Sequence, residues 1–539
     1  MNEIKCKKCS YEIDDETLKS NCYVCPNCGH YFAYNARSRI HDLADAGWFK
    51  KLEFATGYYE KITDLKYRND IQSIQDKYEL YEAIVCADTK IAGIRVLVGV
   101  MDSRFMMASM GYVVGESVCQ LFKRAIRKKL PVVLICCSGG ARMQEGIISL
   151  MQMEKTAAIV KKHNDAGLFY ISVLTNPTMG GVTASFATLA DIIIAEKGAM
   201  IGFAGTRVIE QNTGEKLPAG FQSAEFQKDH GFLDAIVNRY ELRETIAYFL
   251  RLHQSKRSLM SMDIMSIDMI GMTSVQSQSR SAWETVKIAR SRNRPTSLDY
   301  INYLFPDFFE LSGDRVCGDD HAVVAGLATF YGCPITVIGQ QNGKKNAADA
   351  HYRNFGMPSP SGYRKALRLA KQAEKFGRPI IFFIDTIGGA CGADAERKGQ
   401  AHVIARMLYE MSSIKVPVYS IIIGQGGSGG ALAFAIGNEV NILENAIYAV
   451  IMPEGYASIV WKDSSKAADA AECMKITSAD LYNMRIVNKV IPEWIPATID
   501  DMDQVCSGIR LSLHTFLKDY RKKSKHAIIR NRYKRFAQY

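Results

Sequence analysis

The sequence predicts an α/β protein: two like domains, each built on a parallel sheet, behind a small cysteine-rich module. Three observations carry this. Glycine pairs recur in two matched sets. Ser138-Gly139-Gly140-Ala141 precedes Met179-Gly180-Gly181-Val182, and Ile387-Gly388-Gly389-Ala390 precedes Ser428-Gly429-Gly430-Ala431. Gly140 and Gly181 are 41 positions apart, as are Gly389 and Gly430, so one supersecondary unit is present twice. Strand-like and helix-like stretches alternate through both halves, the pattern of parallel sheets with right-handed crossovers. Four cysteines near the start follow the spacing C-x2-C-x15-C-x2-C, which is that of a four-thiolate zinc site.

In chain order, residues 1–35 form the metal module. Cys6 and Cys9 make one knuckle, Cys25 and Cys28 the other. Cys22 also stands at C-x2-C spacing from Cys25, but small residues, Ser10 and Gly29, follow the second cysteine of the preferred pairs. Four sulfur ligands leave no open position, so one structural zinc per chain is expected. Residues 36–250 form the first α/β domain and contain the first glycine set. Residues 251–280 are rich in Ser and Met and read as a linker. Residues 281–515 form the second α/β domain, and 516–539 a basic C-terminal tail.

Apolar runs lead into each glycine pair: PVVLICC (131–137), LFYISVL (168–174), PIIFFI (379–384) and PVYSIII (417–423). Glycine lets a chain turn sharply at a strand end and lets a ligand approach the backbone. The helix that follows begins with unpaired N–H groups and a partial positive charge. Two such turns side by side aim two amides at one point, an oxyanion hole made of backbone.

The bulk numbers agree with a globular enzyme. At 539 residues the chain calls for two or three domains. Apolar content is 47% and charged content 23%. No apolar run reaches bilayer length, and MNEIKCKKC has no signal-peptide core, so a cytoplasmic protein without membrane contact is expected. The 14 cysteines then read as metal ligands or buried small residues rather than disulfides. A net charge of +11 points to an anionic partner. FKRAIRKK (122–129) and LKDYRKKSKHAIIRNRYKRF (517–536) hold much of the excess, either as solvated helix faces or as contacts to that partner.

At these residues a family resemblance emerges. SGGARMQEG (138–146), NPTMGGVTASFATLADI (176–192), IGFAGTRVIEQ (201–211) and EKLPAGFQSAEF (215–226), with the zinc ribbon ahead of them, resemble the β subunit of the bacterial acetyl-CoA carboxylase carboxyltransferase. RPTSLDYI (294–301), FELSGDR (309–315), RNFGMPSPSGYRKALRLA (353–370), GQGGSGGALAFAIGN (424–438) and MPEGYASIVWK (452–462) resemble its α subunit. The chain is similar to a β–α fusion of the two.

The resemblance implies a crotonase-like (ClpP/crotonase) fold in each α/β domain, with CoA on the first side, biotin on the second, and the active site where the two kinds of half meet. It implies transfer of a carboxyl group from carboxybiotin, held on a biotin carboxyl carrier protein that biotin carboxylase charges, to acetyl-CoA, giving malonyl-CoA for fatty acid synthesis. It also implies a homodimer or higher homo-oligomer.

Two oxyanions form in such a transfer. Amides near Gly140–Ala141 and Gly180–Gly181 are expected to serve one, and those near Gly389–Ala390 and Gly429–Gly430 the other. The sequence departs from the family after Asp385-Thr386. A Pro-Gly-Ala-Tyr-Pro-like run is usual there, and Ile387-Gly388-Gly389-Ala390-Cys391-Gly392 stands in its place, which leaves open which amide in that turn is the donor. A Lys-Gly-Arg segment of the family appears as Asn342-Gly343-Lys344-Lys345.

Rival readings explain less. A hydratase or isomerase needs a glutamate pair at the turns, but Asp394 holds the offset that Glu145 holds in the first set. A serine protease would use Ser185 or Ser428 with a nearby histidine, and no histidine adjoins the four turns. Nucleic-acid binding accounts for the ribbon and the basic tail but not for the duplicated turns. Carboxyltransferases or decarboxylases acting on another acyl-CoA, such as propionyl-CoA, share the two-half plan but normally lack the ribbon.

Overall fold

The computed structural model describes residues 3–54, 57–254, 280–343, 346–493 and 495–539. Most of the stretch expected as a linker, and Lys344-Lys345, lie outside the described residues. The chain divides into two compact units at His253 and Gln254.

The first unit opens with the cysteine module. Strands β1 (Glu3–Lys5) and β2 (Glu12–Asp14) pair antiparallel, and Ile13 and Leu18 are buried with Cys6 and Cys25. An eight-stranded sheet follows, made of β3 (Phe49–Leu52), β4 (Ile84–Ile91), β5 (Ile94–Met101), β6 (Val132–Ser138), β7 (Tyr170–Met179), β8 (Ile192–Glu196), β9 (Ile201–Gly202) and β10 (Ala235–Val237). Its order is β10-β8-β7-β6-β5-β4-β3, with β9 on the end of β7. The pairs β3–β4 and β4–β5 are antiparallel, and the rest are parallel. Helices Tyr112–Lys128 and Ile147–Asp165 make the crossovers into β6 and β7. Every residue of β6 is buried. A strand covered on both faces reads as an unbroken apolar run rather than an alternating one, which is why PVVLICC is so conspicuous.

The second unit repeats this strand for strand: β11 (Phe309–Glu310), β12 (Val323–Phe330), β13 (Cys333–Gln340), β14 (Ile380–Thr386), β15 (Val418–Gly427), β16 (Glu439–Leu443), β17 (Ile447–Ala449) and β18 (Lys489–Ile491). The order is β11-β12-β13-β14-β15-β16-β18, with β17 on the end of β15 and the same strand directions. Helices Pro360–Phe376 and Gln400–Ser412 are the matching crossovers. Pro360 at the first turn and Gly377 at the C-cap delimit the former.

The basic runs are only partly solvated. In the first unit Asp88 faces Arg95 at 2.8 Å, Lys128 at 3.4 Å and Arg124 at 3.5 Å. Hydrogen bonding from Arg95, against some desolvation, pulls its carboxyl down to about 2. In the second unit the C-terminal stretch forms helix Lys525–Phe536. Arg532 is buried there and donates to the carbonyls of Met411 (2.9 Å), Ile414 (2.8 Å) and Val416 (3.0 Å).

Arg239 ties the cysteine module to the first sheet. It donates to both Glu196 oxygens at 3.0 and 2.8 Å, and to the carbonyls of Cys22 (3.3 Å), Tyr23 (3.0 Å) and Phe32 (3.1 Å). Arg39 holds Glu196 from another side. Burial works against the Glu196 carboxylate, but the two arginines outweigh it and its pKa falls to about 2. An unfolded glutamate titrates near ~4.3. The stability this group contributes is therefore complete above that value and is lost as pH falls toward 2. Arg239→Ala leaves carbonyls and a buried carboxylate short of a partner. It is expected to lower stability by about 3–5 kcal/mol and to expose residues 1–35 to protease, as read by denaturant unfolding and limited proteolysis at neutral pH.

Candidate active site and metal centre

The Sγ atoms of Cys6, Cys9, Cys25 and Cys28 lie within 4.8 Å of one another. Cys6–Cys28 and Cys9–Cys25 are each 3.7 Å apart. Thiolates around a tetrahedral zinc, with Zn–S near 2.3 Å, stand about 3.8 Å apart, so this donor set fits the ion. The two knuckles close alike, Ser10 N donating to Cys6 O at 2.8 Å and Gly29 N to Cys25 O at 2.9 Å. Cys22 is not part of the cluster.

In each unit the two glycine turns lie at the carboxyl ends of adjacent parallel strands, β6 and β7 in the first and β14 and β15 in the second. Both strand pairs carry a register break at the same place, between Cys136 and Ser138 and between Ile384 and Thr386. The hydroxyl at each strand end grips its own turn. Gly140 N donates to Ser138 Oγ at 3.0 Å, and Gly388 N donates to Thr386 Oγ1 at 3.1 Å. Ser138 pairs with Thr178, and Thr386 with Gly426.

The structural repeat is thus one residue out of step with the glycine pairs. Gly140 corresponds to Gly388, Ala141 to Gly389, Gly180 to Ser428 and Gly181 to Gly429. Gly180 and Ser428 share a φ of 57°. A serine held in that left-handed conformation is strained by roughly 1–2 kcal/mol, and such strain concentrates at functional turns.

Several of the amides singled out in the sequence are already engaged. Gly140 N is held by Ser138, Gly180 N donates to Phe203 O at 3.1 Å, and Ala390 N donates to Pro358 O at 2.9 Å. The counterpart of Ala390 is Arg142, whose N donates to Met110 O at 2.9 Å. The N–H groups of Ala141 and Gly389 have no acceptor among the described residues. Gly181 and Gly429 are the second residues of helices Gly180–Thr183 and Ser428–Leu432, where an amide has no intrahelical acceptor.

The turns touch. A Cβ built on Gly180 would lie 3.0 Å from Gly140 Cα and 4.0 Å from Ala141 N, and one on Gly430 would lie 2.2 Å from Gly389 N. Each unit therefore presents two unengaged amides from abutting turns, Ala141 with Gly181 and Gly389 with Gly429.

The side chains that brace these turns were not legible in the sequence. Arg142 is fully buried and forks onto Glu82 at 2.8 and 2.7 Å, with a third bond to Ser109 O at 2.7 Å. Glu145 is buried beside it, accepting from Tyr67 Oη and Tyr112 N, both at 2.6 Å. In the second unit Gln340 Nε2 donates to Gly430 O at 2.9 Å, Gln400 Nε2 to Pro358 O at 2.9 Å, and Gln425 N to Asp385 Oδ1 at 2.9 Å. Two of the residues named for the rival chemistries are employed elsewhere. Ser185 is buried and donates to Gly181 O at 2.6 Å, and Asp394 is exposed and pairs with Lys398 at 2.9 Å. Among the described residues no helix is long and apolar enough to cross a membrane.

Residues 36–258 match the carboxyl transferase domain family, and residues 233–539 match the acetyl co-enzyme A carboxylase carboxyltransferase-like family. The acetyl-coenzyme A carboxylase carboxyl transferase subunits beta/alpha of Natranaerobius thermophilus are 46% identical over 99% of this chain and 90% of their own. Those of Clostridium tetani are 46% identical over 91% and 84%. Among solved structures, a transcarboxylase 12S hexamer with methylmalonyl-coenzyme A bound superposes with a TM-score of 0.72 at 21% identity, covering 91% of this chain and 90% of that one. That likeness shows the fold, crotonase-like in both units.

Metal analysis of the purified protein is expected to find about one zinc per chain. Cys6→Ser and Cys28→Ser should lose it, and Cys22→Ser should keep it. Retention in Cys28→Ser with loss in Cys22→Ser would reassign the second knuckle.

Proposed function

The chain belongs to the carboxyltransferase family of acetyl-CoA carboxylase, in its fused β/α form, and we propose that each of its units supplies one backbone oxyanion hole to carboxyl transfer. The reaction moves a carboxyl group from carboxybiotin to the methyl carbon of acetyl-CoA and yields malonyl-CoA. Two oxygens gain negative charge: the thioester oxygen as the enolate forms, and the ureido oxygen of biotin as the carboxyl group leaves. The first unit's pair, Ala141 and Gly181, is assigned to the enolate. The second unit's pair, Gly389 and Gly429, is assigned to the ureido oxygen. The observation that carries this reading is the repetition of an unengaged amide pair, built on one plan, in both units.

A preorganised donor of this kind is worth roughly 2.7–4 kcal/mol of transition-state stabilisation. Decarboxylated biotin takes the methyl proton on its ureido nitrogen, so no side-chain base is required. Glu145 supports this division of labour, because both its oxygens hold the loop after the first turn in place.

The zinc is structural, since sulfur fills all four positions. Carboxybiotin arrives on a carrier protein charged by biotin carboxylase. Met143, Ile147, Leu150 and Met151 are exposed just beyond the first turn, an apolar face of the kind that marks an interface. Together with the hexameric assembly named for a protein of the same fold, it supports an assembly of at least two chains.

Gly181→Val and Gly429→Val are expected to lower malonyl-CoA formation about 10²–10³-fold by obstructing a donor. Both fit the fold. A Cβ at Gly181 meets the flexible Met153 Sδ at 3.2 Å, and one at Gly429 meets only Ile404 Cγ2 at 4.0 Å. Gly430 variants report folding instead, because of the 2.2 Å approach to Gly389 N. Ser185→Ala and Ser428→Gly should keep turnover within a few-fold. Abolished activity in Ser428→Gly, with Gly429→Val unaffected, would replace the oxyanion holes with a serine mechanism.

A further inference from the structure

A strained turn in the first unit stands against the first glycine turn and has no part in the chemistry described so far. Between β5 and helix Tyr112–Lys128, three consecutive residues, Met106, Met107 and Ala108, take left-handed backbone conformations, with φ of 45°, 55° and 50°. Residues with a Cβ rarely adopt that conformation, and glycine does so freely. The turn is closed by Ala108 N donating to Phe105 O at 2.8 Å and by Ser109 N donating to Met106 O at 3.1 Å. The second unit carries the same turn between β13 and helix Pro360–Phe376. Asn354, Phe355 and Gly356 have φ of 44°, 54° and 76°, and Gly356 N and Met357 N donate to Arg353 O and Asn354 O at 2.8 and 2.9 Å.

The surroundings hold this strain in place. Met107 O accepts from Gly139 N at 2.8 Å, Ala108 O from Ser138 Oγ at 2.7 Å, and Gly140 O from Met110 N at 2.8 Å. The left-handed turn is therefore bonded to the turn that carries the Ala141 amide. Phe105 and Ala108 are buried, but Met107 is 57% exposed. A Cβ built on Gly139 would lie 3.3 Å from Met107 Cβ, so the methionine side chain starts beside Gly139, two residues before the donor. At the other turn, Phe203 O accepts from Gly180 N at 3.1 Å, and Phe203 is 69% exposed. Each turn of the amide pair thus has one exposed apolar residue bonded beside it. Burial does not account for Met107, and at its φ a glycine would be the unstrained residue. Strain that packing does not require concentrates at sites that use it.

We propose, resting on the carboxyltransferase reading and deepening it, that Met107 sets the acyl-chain specificity of the reaction. Its side chain fills the space beyond the methyl group of an acetyl thioester whose oxygen lies at the Ala141 and Gly181 amides. A thioester carries its oxygen and its acyl chain on one carbonyl carbon, so a group that flanks the oxyanion donors is also the first to meet a longer chain. Acetyl has a single carbon beyond that carbonyl, and the flexible thioether of methionine can close over it. A propionyl group adds a methyl at the same carbon that exchanges the carboxyl group, and that methyl meets the Met107 side chain. The left-handed backbone keeps the methionine at the turn instead of letting it fold back into the core.

The test uses Met107→Gly and Met107→Ala variants of the full chain, assayed in reverse with biocytin as carboxyl acceptor and malonyl-CoA or methylmalonyl-CoA as donor. Both variants open the space, but only glycine also relieves the backbone, so the pair separates room from strain. The kcat/KM for methylmalonyl-CoA relative to malonyl-CoA should rise about tenfold in both, the scale of one methyl group in an apolar pocket. An unchanged ratio in both would overturn the proposal, even where Met107→Gly unfolds at higher denaturant, because the side chain would then contribute strain alone. A rise in the glycine variant only would trace the effect to the backbone and overturn it as well. So would a changed sedimentation coefficient with an unchanged ratio, which would give Met107 to an interface between chains. A wild-type protein that moves no carboxyl group from either donor would overturn the carboxyltransferase reading. The ratio of calorimetric affinities for propionyl-CoA and acetyl-CoA, expected to rise by the same factor in both variants, would then decide for or against Met107.

Discussion

The structure depends on one close approach: two backbone turns, at the carboxyl ends of adjacent parallel strands, pressed together until their main chains touch. A Cβ at Gly427 would lie 2.1 Å from Ile387 O, and one at Gly430 2.2 Å from Gly389 N. No side chain can stand at those two positions of the second unit, whereas Met179 and Val182 occupy the corresponding positions of the first. The two facing amides are useful only if they stay fixed, because an oxyanion hole works by being organised before charge develops. Much of the surrounding architecture serves that end. The strands that carry the turns are buried on both faces, the helices after them are short and begin at the turn itself, and the strand-end hydroxyls of Ser138 and Thr386 hold the loop from inside.

The two units keep this geometry with different bracing. The first uses charge: Arg142 and Glu82 form a buried fork, and Glu145 ties the same loop to Tyr67 and Tyr112. Burial pushes the Glu82 carboxyl up and Arg142 opposes it. Such a pair adds little net stability over a packed apolar equivalent, but losing one partner is severe. Its use here is to define one position for the loop. The second unit relies on neutral amides for much of the same work, Gln340 and Gln400 gripping carbonyls of the turn and of the segment beneath it. A carboxyl group also takes part, that of Asp385, which accepts from the Gln425 amide next to that unit's second turn. A similar pair of abutting turns, braced by different side chains beyond the shared Ser138 and Thr386 hydroxyls, indicates that the turn more than its supports is what the two units share.

This also explains what was legible in the sequence. The four cysteines and the glycine turns are local patterns, set by spacing along the chain, and the buried strands announce themselves as apolar runs. The exact partner amides are not local. Counting glycines pairs Gly140 with Gly389, whereas the strand ends pair Gly140 with Gly388, because Ser428 takes the left-handed position that Gly180 takes in the first unit. Nothing in the spacing shows that a serine will accept that conformation. Arg239 reaching three carbonyls of the cysteine module, and Arg142 meeting Glu82, join residues far apart in the chain, and a single sequence carries no signal for either. The C-terminal run reads as a basic tail from its composition. Only the fold shows Arg532 buried.

A site built from main-chain donors has a further consequence for how its sequence can change. A catalytic side chain ties function to residue identity, but an amide is supplied by every residue except proline. What must persist is the direction of the N–H. In the second unit's first turn that direction is set by the Thr386 hydroxyl on one side of Gly389 and by the Ala390–Pro358 bond on the other. Neither depends on the proline and tyrosine usual in the family at this point. Ile387-Gly388-Gly389-Ala390 can therefore stand in their place, and the donor at Gly389 remains where the neighbouring turn, with its own donor at Gly429, requires it.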